Sequence, residues 1–258
     1  MTEPDLLDGA LRIARLEYPD LDVGRCRGQV EAFASEAFGR VASRGRRGVE
    51  QFNAYFFDKL GFHGNAENYY DPRNSYLNDV IERRTGIPIT LAALYCEVAR
   101  RAGLDAHGVG FPGHFLAKCV VPDGDILVDC FNARTVSRAD CQALLDSFSP
   151  GGGPVSDEML AVAPARDILC RMLNNLRRIH AGQGDFARAL RWIDMDLELR
   201  PDSPHSIRER GMLYVQMEQF GKALADLERY QTLAPGSPDL SQVQEQIQLL
   251  RKLLSHLN

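Results

Sequence analysis

Hydrophobic residues follow helical spacing over most of the chain and strand spacing only in its middle. The pattern predicts helices over three early segments: 4–17, 24–43 and 47–60. Another helix begins at "GIPIT" and ends at Gly103, and its apolar stripe is formed by Leu91, Leu94, Tyr95, Val98, Ala99 and Ala102. Alternating apolar and polar residues then predict three strands: 106–111, 114–121 and 125–130. Helices followed by adjacent antiparallel strands indicate an α+β domain with a small sheet.

A repeated helical pattern occupies the C-terminal part of the chain. Segments 184–203 and 218–237 align at an offset of 34 residues, and the aligned pairs include Phe186 with Phe220, Ala189 with Ala223, and Pro201 with Pro235. A helix–turn–helix unit of about 34 residues with these small and aromatic positions is typical of the tetratricopeptide repeat (TPR). A last helix over 238–257 would cap the array.

The stretch "SPGGGPVSDE" at 149–158 separates the two patterns. Consecutive glycines flanked by prolines continue neither a helix nor a central strand. We therefore predict an α+β domain over 1–150, a linker over 151–165 and an all-α TPR region over 166–258.

Composition and charge argue against several classes of function. The formal net charge of −5 gives no electrostatic basis for binding nucleic acid. No apolar run approaches the roughly 20 residues that span a bilayer, and the N-terminus lacks the pattern of a signal peptide. The six cysteines are scattered without a CxxC pair, which argues against a zinc ribbon or a disulfide scaffold. We expect a cytoplasmic protein with no cofactor, no metal, and neither a nucleic-acid nor a membrane partner.

Catalytic residue types concentrate in "GFPGHFLAKCVVPDGDILVDCFN", which carries His114 on one predicted strand and Asp129 on the next. A histidine oriented by a carboxylate is part of a nucleophile-activating triad. A buried helix followed by strands that carry His and then Asp is the order of papain-like and transglutaminase-like enzymes. In those enzymes a cysteine at the helix N-terminus is the nucleophile. Here the helix begins Ile-Pro-Ile-Thr, at 87–90, without a cysteine.

The other cysteines are poorly placed to substitute. Cys96 lies about 9 Å further along the helix, and Cys119 and Cys130 face away from His114 and Asp129 across the sheet. Thr90 is the remaining candidate nucleophile, and helix capping is the competing interpretation of its hydroxyl.

Hairpin register decides whether His114 and Asp129 meet. A turn centred on Asp123–Gly124 places Asp129 opposite Lys118, about 13 Å from His114. Direct contact requires centring near Val121–Pro122, or a β-bulge. Parity permits the contact in either register.

The run "GNAENYYDPRNSYLNDVIERRTGIPITLAALYCEVARRAGL", followed by "PGHF" and "DCFN", resembles a bacterial transglutaminase-like family with a C-terminal TPR region. The family is named after the Sir B invasion-regulator locus, and a related domain occurs in an F-box family of ubiquitin-ligase adaptors. The resemblance implies a papain-like core, with His114 and Asp129 at the transglutaminase positions and a nucleophile position that is generally not cysteine. In "DCFNAR", Cys130 and Ala133 stand where the family has proline and glycine.

Two further sets of residues are candidates for binding. Polar residues before the central helix could line a cleft, with turn and capping chemistry as the competing interpretation: Asn65, Tyr69, Tyr70, Asp71, Asn74 and Ser75. If the first TPR begins at residue 170, Asn174, Arg178 and Arg208 line its groove, where they can hold carboxylates or backbone. The competing interpretation there is solvated helix surface.

We favour a non-catalytic transglutaminase-like protein with a regulatory or scaffolding role, whose TPR region binds a protein or peptide. The alternative is a hydrolase or acyltransferase that acts on amide bonds. It would use His114 and Asp129, with Thr90 or water in place of the cysteine nucleophile.

Overall fold

The computed structural model describes residues 3–151 and 153–257, and the chain divides into two compact units between Met172 and Leu173. The helices of the first unit are α1 (Leu6–Glu17), α2 (Val23–Phe38), α3 (Arg46–Asn53), α4 (Leu77–Arg83), α5 (Pro88–Arg101), α6 (Arg138–Phe148) and the start of α7 (Ala165–Gly182). Its strands are β1 (His63–Gly64), β2 (Thr85–Gly86), β3 (Asp105–Val109), β4 (Leu116–Val120), β5 (Ile126–Asp129) and β6 (Arg134–Val136). The first unit is therefore α+β.

Local sequence explains how α1 and α2 begin and how α3 ends. Asp5 and Asp22 cap α1 and α2, because each carboxylate accepts a backbone N–H from the first turn. The helix expected over 47–60 is α-helical only to Asn53 and continues as a wider π-helical turn over Ala54–Lys59. Three consecutive aromatic residues, 55–57, are all buried in that turn. One face of a regular α-helix cannot bury three consecutive residues, since they point about 100° apart.

Helix α5 is the centre of the first unit. Every residue from Pro88 to Ala99 is buried, because α2 and the strands β3 and β4 pack around the helix. The single apolar stripe expected from the sequence is therefore too narrow. Cys96 and Glu97 lie outside that stripe and are also buried, with Glu97 ion-paired to the arginines of the last turn.

The sheet is antiparallel throughout, in the order β3-β4-β5-β6. Lys118 pairs with Leu127 and Cys119 with Ile126, so the hairpin is centred between Pro122 and Asp123. The centre of this turn lies one residue before the Asp123–Gly124 centre considered from the sequence. The first two strands, β1 and β2, form a separate parallel pair of two residues each.

The segment after the glycine run packs on the sheet. Val155 and Leu160 join a core cluster with Val109 and Phe111, and the backbone N–H of residue 163 donates to the carbonyl of residue 108. The compact units consequently divide inside α7, later than the 151–165 linker expected from the sequence.

The second unit is helical, and its elements after α7 are α8 (Phe186–Leu199), α9 (Pro204–Gln216), α10 (Phe220–Leu233) and α11 (Leu240–Leu257). Successive helices from α8 to α11 pack against one another, and the unit contains two clusters of buried residues. Gly211 lets α9 approach α10, since a Cβ there would lie 2.9 Å from Leu227. Over the described residues, no helix has both the length and the hydropathy that crossing a membrane requires.

Candidate functional site

His114 and Asp129 are in contact. The imidazole Nε2 lies 3.0 Å from Asp129 Oδ1, and both side chains are nearly covered, at 10% and 4% exposure. His114 precedes β4 rather than lying on it, in a turn closed by its N–H donating to the Phe111 carbonyl. The hairpin adopts neither register considered from the sequence. His114 still contacts Asp129, because it lies in the turn before β4 and not on the strand.

Asp129 is held as an anion by a full set of donors. The carboxylate accepts the backbone N–H groups of Phe131 and Asn132, at 3.1 and 3.2 Å, and the Asn132 side-chain amide at 2.7 Å. Burial alone would raise the pKa of Asp129, but the hydrogen bonds from His114 and Asn132 outweigh burial and lower it. With Asp129 ionised, Nε2 of His114 is the donating nitrogen, and Nδ1 is left as the basic one.

The loop after Asp129 carries the departure from the family pattern. Ala133 adopts the left-handed conformation, with φ of 52°. That region strains a residue with a Cβ, and glycine occupies it freely. Ala133 is thus strained at the position where the resemblance implies a glycine.

Thr90 is the third residue of α5 and acts as a structural hydrogen-bonding group. Its hydroxyl donates to the Asn74 carbonyl at 2.6 Å and accepts the Ile87 N–H at 3.3 Å. The side chain is fully buried. Among the hydrogen bonds of the described residues, none joins Thr90 to His114.

The cysteines are free and buried, all six of them. Burial raises the pKa of the Cys96 and Cys130 thiols far above the ordinary value, and it raises that of Cys119 to about 11. Cys119 lies 3.6 Å from the hydroxyl of Tyr95 on α5, so it faces the helix. A thiolate is disfavoured at each of these three positions.

Most of the cleft candidates hold one another in place. Asn65 donates to Asn74 at 3.1 Å, and the Asn74 amide donates to the carbonyls of residues 68 and 69. Asp71 is paired with Arg73, whose hydrogen bonds lower the pKa of that carboxyl. Ser75 is fully buried. These four residues build the turn before α4.

Tyr69 and Tyr70 differ from the other cleft candidates because they are open to solvent, at 42% and 74% exposure. Their rings lie 5.3 Å apart, and the Tyr69 ring lies 5.9 Å from that of Phe131 beside Asp129. The structure thus leaves these two side chains available for a ligand near the His114–Asp129 pair.

Two residues near the pair were missed from the sequence. Asn132 stands in the quoted "DCFN", and an amide three positions after a buried carboxylate is a signal that could have identified it. Arg171 donates from Nη2 to the His114 carbonyl at 3.0 Å. No local pattern links a residue of α7 to a strand turn so far away in the sequence.

The groove candidates of the second unit have different surroundings. Asn174 accepts from Arg177 at 2.7 Å. Arg208 is ion-paired with Asp239 and with Glu209. Arg178 is exposed and takes part in no ion pair among the described residues.

Comparison with known proteins places the chain in a class. A family model described as the transglutaminase-like superfamily matches residues 25–174, and one described as the tetratricopeptide repeat matches residues 176–248. The chain therefore belongs to the transglutaminase-like superfamily, with a TPR region after the transglutaminase-like domain. The fold predicted from the sequence is confirmed.

Its relatives include bacterial proteins that match along most of their length. A UPF0162 protein of Xylella fastidiosa is 42% identical over 246 residues, which cover 92% of this chain and 87% of that protein. A UPF0162 protein of Vibrio cholerae is 27% identical over 249 residues, covering 95% and 92%. F-box only protein 21 of Pongo abelii is 29% identical over 201 residues, which cover 73% of this chain and 31% of that protein.

Proposed function

We propose that this chain is a non-catalytic transglutaminase-like protein of the cytoplasm with a regulatory or scaffolding role, and that its TPR region binds a protein or peptide. The observation that carries the proposal is the His114–Asp129 pair, to which no hydroxyl or thiol among the described residues is hydrogen-bonded. The hydroxyl of Thr90 is buried and hydrogen-bonded at the start of α5. The thiols of Cys96, Cys119 and Cys130 are buried in environments that disfavour the thiolate.

The contacts of the groove residues support Arg178 as the main partner contact. Asn174 and Arg208 already have partners, so they would have to exchange them to bind a ligand. Arg178 is exposed, and its guanidinium is free to meet a carboxylate or backbone carbonyl.

A charge reversal tests this proposal. Arg178→Glu removes an exposed cation, so the fold should survive while the proteins recovered with the tagged full-length chain decrease about tenfold. Lys252→Glu is the matched control, because Lys252 is an exposed cation on α11 of the same unit. Equal recovery by wild type and Arg178→Glu would contradict the assignment of the TPR surface.

The alternative function is an amide hydrolase, and the 3.0 Å contact between His114 and Asp129 favours it. In that case Nδ1 of His114 would take a proton from water that attacks an amide carbon, and Asp129 would stabilise the resulting imidazolium. Release of ammonia from a glutamine-containing peptide, abolished by His114→Ala, would replace the non-catalytic proposal with this one.

A further inference from the structure

Arg171 is a half-buried cation without an acidic partner among the described residues. Its Nη2 donates to the His114 carbonyl, and the guanidinium lies 5.3 Å from the centre of the Phe115 ring. The half-buried arginines of the second unit are different, since Arg177 and Arg210 each face a carboxylate. A partly desolvated charge that has no counter-ion is costly, so a ligand that supplies one is favoured.

Part of the Arg171 guanidinium borders exposed backbone. Residue 110 is an exposed glycine, and a Cβ there would lie 3.0 Å from Nη1. Glycine at this position therefore leaves Nη1 without a side chain over it on that side.

Exposed aromatic rings lie around the same turn. The Tyr69 ring lies 5.9 Å from that of Phe131, whose backbone N–H donates to Asp129. Tyr70 packs edge-on against Tyr69. The 56% exposed ring of Phe148 covers Gly113, next to His114. A cation near exposed aromatic rings suits a ligand that carries both a negative charge and an apolar group.

We propose that Arg171, with Tyr69 and Tyr70, binds the carboxylate side chain of an acidic peptide segment beside the His114–Asp129 pair. One guanidinium balances the single charge of a carboxylate in a bidentate arrangement. The site lies wholly in the first unit, so it goes beyond the proposed TPR function and stands or falls separately from it.

The probe is acetyl-Ala-Phe-Glu-Ala-amide, titrated into the isotope-labelled full-length chain and followed by NMR. The Arg171 Nε–H signal and the Tyr70 ring signals should shift and saturate together. The same peptide with Gln in place of Glu should bind about tenfold more weakly, since it loses the charge-assisted hydrogen bonds. Equal affinity for the two peptides, or no binding of the Glu peptide, overturns the proposal.

Variants locate the binding on the protein. Arg171→Gln should weaken the Glu peptide about tenfold, and Tyr70→Ala, at an exposed position that the fold does not depend on, should weaken it several-fold. Arg47→Gln, which removes an exposed arginine of α3, should leave binding unchanged. Wild-type affinity in both Arg171→Gln and Tyr70→Ala overturns the site, whereas loss of TPR partner recovery in Arg178→Glu has no bearing on it.

Discussion

At the residue scale, the contact between His114 and Asp129 was predictable from the sequence only in part. The parity of 114 and 129 predicted that both residues share one face of the sheet; they do contact each other, but His114 lies in the turn before β4 and not on a strand. Their distance was beyond prediction, because it depends on a turn before β4, which begins two residues later than the predicted strand. The donors from Asn132 also depend on the loop shape and not on strand spacing.

Asp129→Asn is predicted to destabilise the first unit by about 2 kcal/mol at pH 7, since it replaces an ionised acceptor that has four donors. The native pKa of Asp129 lies below its ordinary value of about 3.9. Its stabilisation is therefore present above that value and lost as the pH falls through the lower, folded pKa. Urea unfolding from pH 7 to pH 2 should show the difference between wild type and variant shrink in acid.

Asp20→Asn is the control for that pH series. Asp20 is exposed and has no ion pair or side-chain hydrogen bond among the described residues. Its substitution should leave both the stability and its acid dependence unchanged within about 0.5 kcal/mol. A difference between wild type and Asp129→Asn that persists undiminished at pH 2 would mean that packing, and not charge, sets the role of Asp129.

At the scale of elements, the long periodic helices were predictable and the short strands were not. The helices α1 and α5 begin and end close to their predicted limits, because capping residues and glycine mark them. The strands β1, β2 and β6 have two or three residues each, too few for an alternating pattern to be recognised. The full burial of α5 was also unpredictable, since it requires knowledge of what packs on its second side.

Helix packing in the second unit gives a prediction with an internal control. Gly211→Val places a branched side chain where a Cβ alone would lie 2.9 Å from Leu227, so we expect a loss of about 1–3 kcal/mol of stability. Gly221→Ala lies in α10 with no heavy atom near its Cβ, so better helix propensity should stabilise the unit by about 1 kcal/mol. Thermal unfolding that follows the helical signal measures both. Equal effects of the two substitutions would contradict the close approach of α9 and α10.

At the scale of the whole molecule, the chain does not divide into compact units at the point where its sequence pattern changes. A glycine run interrupts secondary structure, and this break was visible in the sequence. Packing continues beyond it, because Val155 and Leu160 return to the core of the sheet. Hydrophobic residues in an irregular segment give no period, so local pattern could not show to which unit they belong.

All six cysteines lie in the first unit, which makes thiol chemistry a probe of that unit alone. Each thiol is buried, and burial raises the pKa of the three around α5 and β5. We predict that iodoacetamide labels every cysteine of the folded protein at pH 6 at least on the order of a hundredfold more slowly than after unfolding in guanidinium. Mass spectrometry of the digested protein assigns the sites.

His114→Ala separates a silent domain from a hidden enzyme in the same experiment. If the imidazole supports only packing and hydrogen bonding, the variant should unfold more easily. Any change in labelling should then be a faster reaction at all the cysteines and not at one of them. A nucleophile activated by His114 would behave in the opposite way: one cysteine would label fast in the wild type and slowly in the variant. Such a site would identify a thiolate that the buried geometry of Cys96, Cys119 and Cys130 disfavours, and the protein would then be an enzyme.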